Sequence, residues 1–232
     1  EVQPIALVNL TAKISVRIEK VAIDIGDMVK PGQELMRFDH DLLKAALTTA
    51  RSKMSQADGE LDKANQYFKR IKAVYDQGLL PKIELEEAQV ALDKAWAEYR
   101  KAEEMLLQAK KDLQNGAITS PVLGIVMEKL INQGESPSIN QKLFTIGQID
   151  KVLIEAKIAE ERVGDIHIKQ SATVAFNAFP NDVMEGEVVK IKPVTDKETK
   201  TFLVYVKLAN HNLKLKPGLS GFIRINKEHR AL

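Results

Sequence analysis

The 232-residue sequence has no cysteine, which excludes a disulfide framework, a thiolate metal site and a cysteine nucleophile. Aromatic residues are scarce, 5% of a chain that is 44% hydrophobic overall. Such a chain folds, but that balance is more typical of thin or elongated bodies than of one broad core. An excess of one charge is lacking too. The 34 basic residues meet 32 acidic ones for a net charge of +2, with no long basic run, so nucleic acid is not an expected partner. No apolar run approaches the roughly 18 residues that a membrane-spanning helix needs. The opening EVQPIALVNL lacks the basic start and long apolar centre of a signal peptide, as expected of a processed or trimmed piece.

Signatures of catalysis are equally sparse. His40, His167, His211 and His229 are isolated, without metal-ligand spacing. Asp39-His40-Asp41 reads as a helix start or as a metal site, and the helix start explains it better. Met28, Met36, Met54, Met105, Met127 and Met184 are scattered rather than clustered, so no soft-metal site is evident. No phosphate loop or serine-centred nucleophile motif is found. The expectation is a protein that is not an enzyme and holds neither cofactor nor metal.

What is present is a repeat with something inside it. GDMVKPGQELMRF, residues 26 to 38, reads as two short strands joined by a Pro-Gly turn, and GESPSINQKLFTI, residues 134 to 146, says nearly the same thing. Gly26 matches Gly134, Gln33 matches Gln141, Leu35 matches Leu143 and Phe38 matches Ile146, all at an offset of 108 residues. Strand alternation is also legible in Ile14, Val16, Ile18 and in Val21, Ile23, Ile25.

Between the halves, apolar residues fall at Leu43, Leu47, Ala50, Met54, Ala57, Leu61, Ala64, Phe68, Ile71 and Tyr75. The steps alternate four and three, a coiled-coil seam. After GLLPK the rhythm resumes at Leu85, Ala88, Leu92, Ala95, Tyr99, Ala102, Leu106, Ala109 and Leu113. Two such registers with a short joint fold back as an antiparallel hairpin, each arm roughly 50–55 Å long. Asp39 or Asp41 can cap the first helix, Gly78 can close it, Pro81 suits the first turn of the second, and Asn115-Gly116 ends it. With 13 basic and 13 acidic residues from 40 to 115, the arms are neutral rods. A rod can simply support itself, or it can project from a body to touch something distant; the second reading is preferred.

TAKISVRIEKVAIDIGDMVKPGQELMRFD and ITSPVLGIVMEKLINQGESPSINQKLFTIGQID resemble the two quasi-symmetric halves of a lipoyl or biotinyl carrier domain. The turn that would present a modified lysine is replaced by the hairpin, and Lys44 lies within the helical register, which argues against a swinging-arm cofactor. A lipoyl-like body split by such a hairpin resembles the periplasmic adaptor, or membrane fusion protein, family of tripartite efflux pumps, of the RND type and HlyD-like. The closing third agrees, with strands expected in KVLIEAKI, SATVAFNAF, EGEVVKIKPV, TFLVYVKLA and GFIRI and a short helix in AEERVGDI. NHNLKLKPGLSGFIRI resembles the family's closing segment, and DKETKT falls where the family has a charged turn. Gln170-Ser171 departs from the family, which usually has a glycine there.

The resemblance implies an α+β, elongated, multi-module fold. A lipoyl-like domain would comprise 10–39 plus 118–149, the coiled-coil hairpin 40–117, and a β-barrel 1–9 plus 150–228, with the membrane-proximal domain absent. It implies an adaptor in the periplasm of a Gram-negative bacterium, associated with the inner membrane. The implied partners are an inner-membrane transporter, a TolC-type outer-membrane channel and further copies in a hexameric ring. Adaptors of ABC-type exporters or heavy-metal efflux systems, and a lipoyl or biotinyl carrier, stay open as alternatives. At the tip, family members carry Arg, then Leu four residues on and Ser eleven residues on. Those offsets fall on Arg70, Val74 and Pro81, so arginine is kept, leucine becomes valine and serine becomes proline. Leu79 and Leu80 occupy the turn itself. The blander reading is that Arg70 only flanks the seam beside Phe68 and Ile71.

Overall fold

The computed structural model describes residues 1–193 and 201–226. The chain opens with β1 (Val2–Thr11), β2 (Ile18–Val21), β3 (Met28–Val29) and β4 (Glu34–Phe38), then rises into α1 (His40–Tyr75) and returns through α2 (Lys82–Gln114). It continues as β5 (Ala117–Thr119), β6 (Gly124–Lys129) and β7 (Lys142–Ala159). After the short α3 (Glu160–Val163) come β8 (Ser171–Phe176), β9 (Phe179–Ile191), β10 (Thr201–Ala209) and β11 (Gly221–Ile225).

The sequence repeat is a repeat of hydrogen bonds. Gln33 Oε1 accepts the Lys30 N–H at 3.0 Å, and Gln141 Oε1 accepts the Ser138 N–H at 2.9 Å. Each glutamine closes a turn whose preceding residue is left-handed, Gly32 at φ 79° and Asn140 at φ 67°. The Gly32 N–H donates to Ser120 O and the Asn140 N–H to Ala12 O, both at 2.8 Å. The Gly26 N–H reaches Val126 O and the Gly134 N–H reaches Ile18 O, both at 2.9 Å. These four backbone bonds all run from one half to the other. The halves are therefore interleaved, and neither satisfies its backbone polar groups alone.

That answers what the two strands of GDMVKPGQELMRF pair with. They do not pair with each other: β3 lies against β6, while β4 is the middle strand between β2 and β5. Leu35, Met36 and Phe38 and their counterparts Leu143, Phe144 and Ile146 are all fully buried in one core. Gly124 is required by close approach, since a Cβ there would sit 2.4 Å from the Gly147 carbonyl oxygen. Its counterpart Val16 lies outside any strand and meets no such limit. Of the alternation expected from Ile14 to Ile25, only Ile18–Val21 is strand; Ile14, Ile18 and Ile23 are buried and Ile25 is exposed. The backbone at Ala12 serves the turn at 138–141 instead of a ladder.

A second core follows, and two long strands join it to the first. β7 places Phe144 and Ile146 in the first core and Ile149, Val152 and Ile154 in the second. β1 pairs antiparallel along it, from Val2 opposite Ile154 to Leu10 opposite Phe144. The two strands, β1 and β7, run through residues 9/10 and 149/150 respectively, where the family resemblance sets its module boundaries. The main sheet runs β11-β8-β9-β10-β7-β6-β3 with β1 also on β7. It curls so that Val2 bonds back to Gly218 and Leu219, just before β11. Residues 151–158, expected as a strand of their own, are the second half of β7, and SATVAFNAF ends as β8 at Phe176 before β9 starts at Phe179. Residues 196–200 of DKETKT and His229 lie outside the described residues.

Gln170 makes the same turn a third time. Its Oε1 accepts the His167 N–H at 2.8 Å, and Lys169 before it has φ 74°. Buried, it also donates to Asn226 O at 2.7 Å. In all three cases the next strand begins one residue after the glutamine. Asn210 does comparable work in the closing segment, donating to Ile149 O and Leu215 O and accepting from the Leu215 N–H.

The helices root in the first core through Leu43 and Leu113. Asp39 caps α1, its carboxylate accepting from the Leu42 N–H at 3.1 Å and from Arg17 at 3.0 Å. Every residue of both expected seams is buried or half-buried. Leu47 and Ala50 pack with Leu106, Ala109 and Leu113, so the base of α1 meets the far end of α2 and the helices run antiparallel. At 1.5 Å per residue they extend about 54 and 50 Å. Gly78 is left-handed at φ 74°. Pro81 is extended at the N-cap rather than inside the first turn, which begins at Lys82.

Candidate functional site at the helical tip

The turn between the helices is closed by backbone groups. The Val74 carbonyl accepts the N–H groups of Gln77 and Leu79, both at 3.3 Å, and the Gly78 N–H donates to Tyr75 O at 2.8 Å. Val74 is half-buried and so belongs to the end of the seam. Arg70, one helical turn earlier, is exposed, its guanidinium 5.7 Å from the Tyr67 ring centroid. That contact steadies a cation without neutralising it. Leu79 is 69% exposed, Leu80 is half-buried and Pro81 is exposed. The structure thus joins Val74 and Leu79 in one hydrogen-bonded turn and presents Arg70 on the last turns of α1.

Two apolar residues near the tip were missed. Ile83 is 56% exposed and Val90, one heptad later, is exposed as well. The signal was available, because Ile83 precedes the seam residue Leu85 by two and Val90 precedes the seam residue Leu92 by two, so both fall off the seam. Beside them Lys82 pairs with Glu86 at 2.7 Å, and the hydrogen bond to that carboxylate raises the lysine above its ordinary value.

The other candidate residues resolve into structural parts. His40 is the first residue of α1, and Asp39 is occupied by the helix N-terminus and Arg17. The Leu42 N–H first, then Arg17, hold the Asp39 carboxyl below the usual carboxylate range. Lys44 is an exposed residue within α1. Among the described residues no three His, Asp or Glu side chains are grouped to hold a metal ion, and no helix is long and apolar enough to cross a membrane.

Interleaved β half-motifs that carry a long helix pair and lead into a curled antiparallel sheet define the class of membrane fusion proteins. Residues 6–147 match the family model for the barrel-sandwich hybrid domain of RND membrane fusion proteins, and residues 151–229 match that for the CusB-like β-barrel domain. The chain belongs to the RND membrane fusion protein, or periplasmic adaptor, family. It is 23% identical to nodulation protein NolF of Rhizobium meliloti (strain 1021), over 93% of this chain and 59% of that one. It is 26% identical to the cobalt-zinc-cadmium resistance protein CzcB of Cupriavidus metallidurans, over 87% of this chain and 39% of that one. The chain thus spans about half the length of these curated relatives. Among solved structures, the membrane fusion protein Spr0693 from Streptococcus pneumoniae R6 shares the fold at a TM-score of 0.73 and 17% identity, covering 98% of this chain and 96% of that one. ZneB from Cupriavidus metallidurans follows at 0.66 and 25%, covering 96% and 95%.

Proposed function

We propose that the chain is the adaptor of a tripartite efflux pump in the periplasm of a Gram-negative bacterium, joining an inner-membrane RND transporter to a TolC-type outer-membrane channel. In this reading α1 and α2 are a coiled-coil hairpin that reaches the channel, and the interleaved halves 10–39 and 118–149 are its lipoyl-like root. Residues 1–9 and 150–228 are a barrel that packs beside its neighbours in a hexameric ring. The observation that carries the reading is the tip. Leu79 and Ile83 gain nothing from the helix pair's own seam, and exposed leucine and isoleucine at the end of the rod that also carries the exposed Arg70 are explained by a partner that covers them. Arg70 offers a planar fork to carbonyls or carboxylates at a channel mouth.

Arg70→Asp in the full-length adaptor is expected to weaken channel docking by about tenfold or more, the worth of one charge-assisted hydrogen bond. Efflux in cells is then lost while expression, helix content and self-assembly are unchanged. Normal efflux with that variant removes the reason for placing the channel contact here. For the exported substrate, the similarity to CzcB favours metal cations over drugs. Growth of an adaptor-deleted, complemented strain under zinc, cobalt and cadmium, set beside growth under drugs, separates the two.

A further inference from the structure

The outer face of β11, β8 and β9 carries an organised pattern that the helical tip does not explain. Phe222 is 76% exposed and Val183 61% exposed, and the register sets Phe222 opposite Ala175 and Ala175 opposite Val183. One apolar row therefore crosses three strands. Two residues along, Arg224 stands opposite Thr173, and Thr173 opposite Glu185. The alternate residues Ile223, Val174 and Met184 pack in the second core, so both rows face out. Arg224 and Glu185 are exposed, and among the described residues neither has an ion-pair partner. The charged row thus has a cation at one end and an anion at the other, separated by two strand spacings of about 4.8 Å.

We propose that this face is a contact between two copies of the chain, stacked face to face about a twofold axis that runs along β8. That rotation exchanges the β11 and β9 sides and preserves position along the strands. Phe222 of each copy then covers Val183 of the other, and Arg224 of each meets Glu185 of the other. All four interactions form at once, as an isologous contact requires. A twofold axis across the strands would instead set β11 on β11 and leave the charges unpaired. Phe222 is the anchor, a large rigid side chain with little rotamer entropy to lose. Six residues on three strands make a patch of only roughly 200 Å², well under the ~800 Å² per partner of a stable complex. The contact is therefore weak and concentration-dependent, and it stands whether or not the tip docks a channel.

Sedimentation velocity on the 232-residue chain tests this in low salt, where the ion pairs are least screened. The expected result is a monomer–dimer equilibrium with a dissociation constant of about 0.1–1 mM, below the strength of standard-sized interfaces. Phe222→Ser and Arg224→Glu each weaken it by about tenfold or more, and the double variant Arg224→Glu with Glu185→Arg recovers wild-type association to within about threefold. Circular dichroism melts that match the wild type show that these exposed substitutions leave the fold intact. A monomer throughout the range overturns the proposal. So does a dimer indifferent to Phe222→Ser, or a double variant no better than Arg224→Glu alone.

Discussion

The β-rich body and the helix pair bury their side chains by different means. In the body, Leu35, Phe38, Leu143, Phe144 and Ile146 are wholly enclosed, because strands from both halves surround them. In the helix pair, Leu61, Phe68, Leu92 and Leu106 lie on the seam and remain half-exposed. Each helix offers one stripe, and a single partner covers only one side of it. Full enclosure in the rod is left to small residues, such as Ala50, Ala88 and Ala102, and to the base. The body is held by a shared interior, whereas the rod is held by length and by its root in that interior.

The sharpest way to break this comparison is to delete the same ring in each region. Phe144→Ala removes a fully buried ring and is expected to cost about 3–5 kcal/mol, as for other enclosed phenylalanines. Phe68→Ala removes a half-exposed one and is expected to cost about half as much, since less apolar area returns to water. Chemical denaturation of each variant checks the ratio, and equal losses would mean that the seam encloses its residues as fully as the body does.

A second variant separates seam from surface within the rod. Leu106→Asp places a carboxylate on the seam beside Leu47 and Ala109 and is expected to cost about 1–3 kcal/mol. Glu103→Lys, on the exposed face of the same helix, should stay within about 0.5 kcal/mol. Helix signal at 222 nm during thermal melts reads both. Similar losses would show that the outer face of α2 carries as much stability as the seam.

The rod was almost wholly legible because helix periodicity is local: a residue's place on the seam follows from its neighbours three and four away. Within the body, the offset of 108 was legible for the same reason, since Gln33 and Gln141 close turns within their own four residues. The third such glutamine, Gln170, passed unread because the turn depends on a left-handed Lys169, where a lysine gives no conformational signal. Pairing between distant strands was hidden altogether. Nothing in VQPIALVNLT says that it lies along β7, or that β7 runs unbroken from one core into the other. Asn210 likewise reads as an ordinary turn residue until Ile149 and Leu215 are beside it. At the tip, Arg70, Val74 and Pro81 were singled out by family offset and Leu79 and Leu80 by their place in the turn, whereas Ile83 and Val90 needed only the question of which apolar residues the seam leaves out.

The joint between the two regions carries a pH dependence of its own. Asp39 caps α1 and pairs with Arg17, and its carboxyl lies below the ordinary range, chiefly through the Leu42 N–H. A folded-state value depressed below the unfolded one stabilises the folded state above the unfolded value of 3.8. That contribution disappears as pH falls through the lower folded value. Wild-type stability should therefore fall more steeply below about pH 4 than that of Asp39→Asn, which keeps an oxygen for the cap but does not titrate. Urea melts between about pH 2 and 6 measure both, and parallel profiles would mean that the carboxylate's charge does nothing at the joint.

The smallest change expected in the body comes from the largest change to the chain. If the body's core is complete without the rod, replacing residues 47–109 by a short Gly-Ser linker should leave its melting temperature nearly unchanged. Leu43 and Leu113 must be kept, because they pack in the body's core, Leu113 at the base of the seam as well. The ends to be bridged are already held together, with the Phe38 N–H donating to Gly116 O at 2.9 Å and Arg37 opposite Ala117 in the ladder. A flexible linker therefore closes a gap whose sides do not move, and its loop entropy grows only slowly with length. The product should lose most of its signal at 222 nm and still unfold cooperatively from a β-rich state. An unfolded product, or one that melts only gradually, would show that the interleaved halves depend on the helices for more than Leu43 and Leu113.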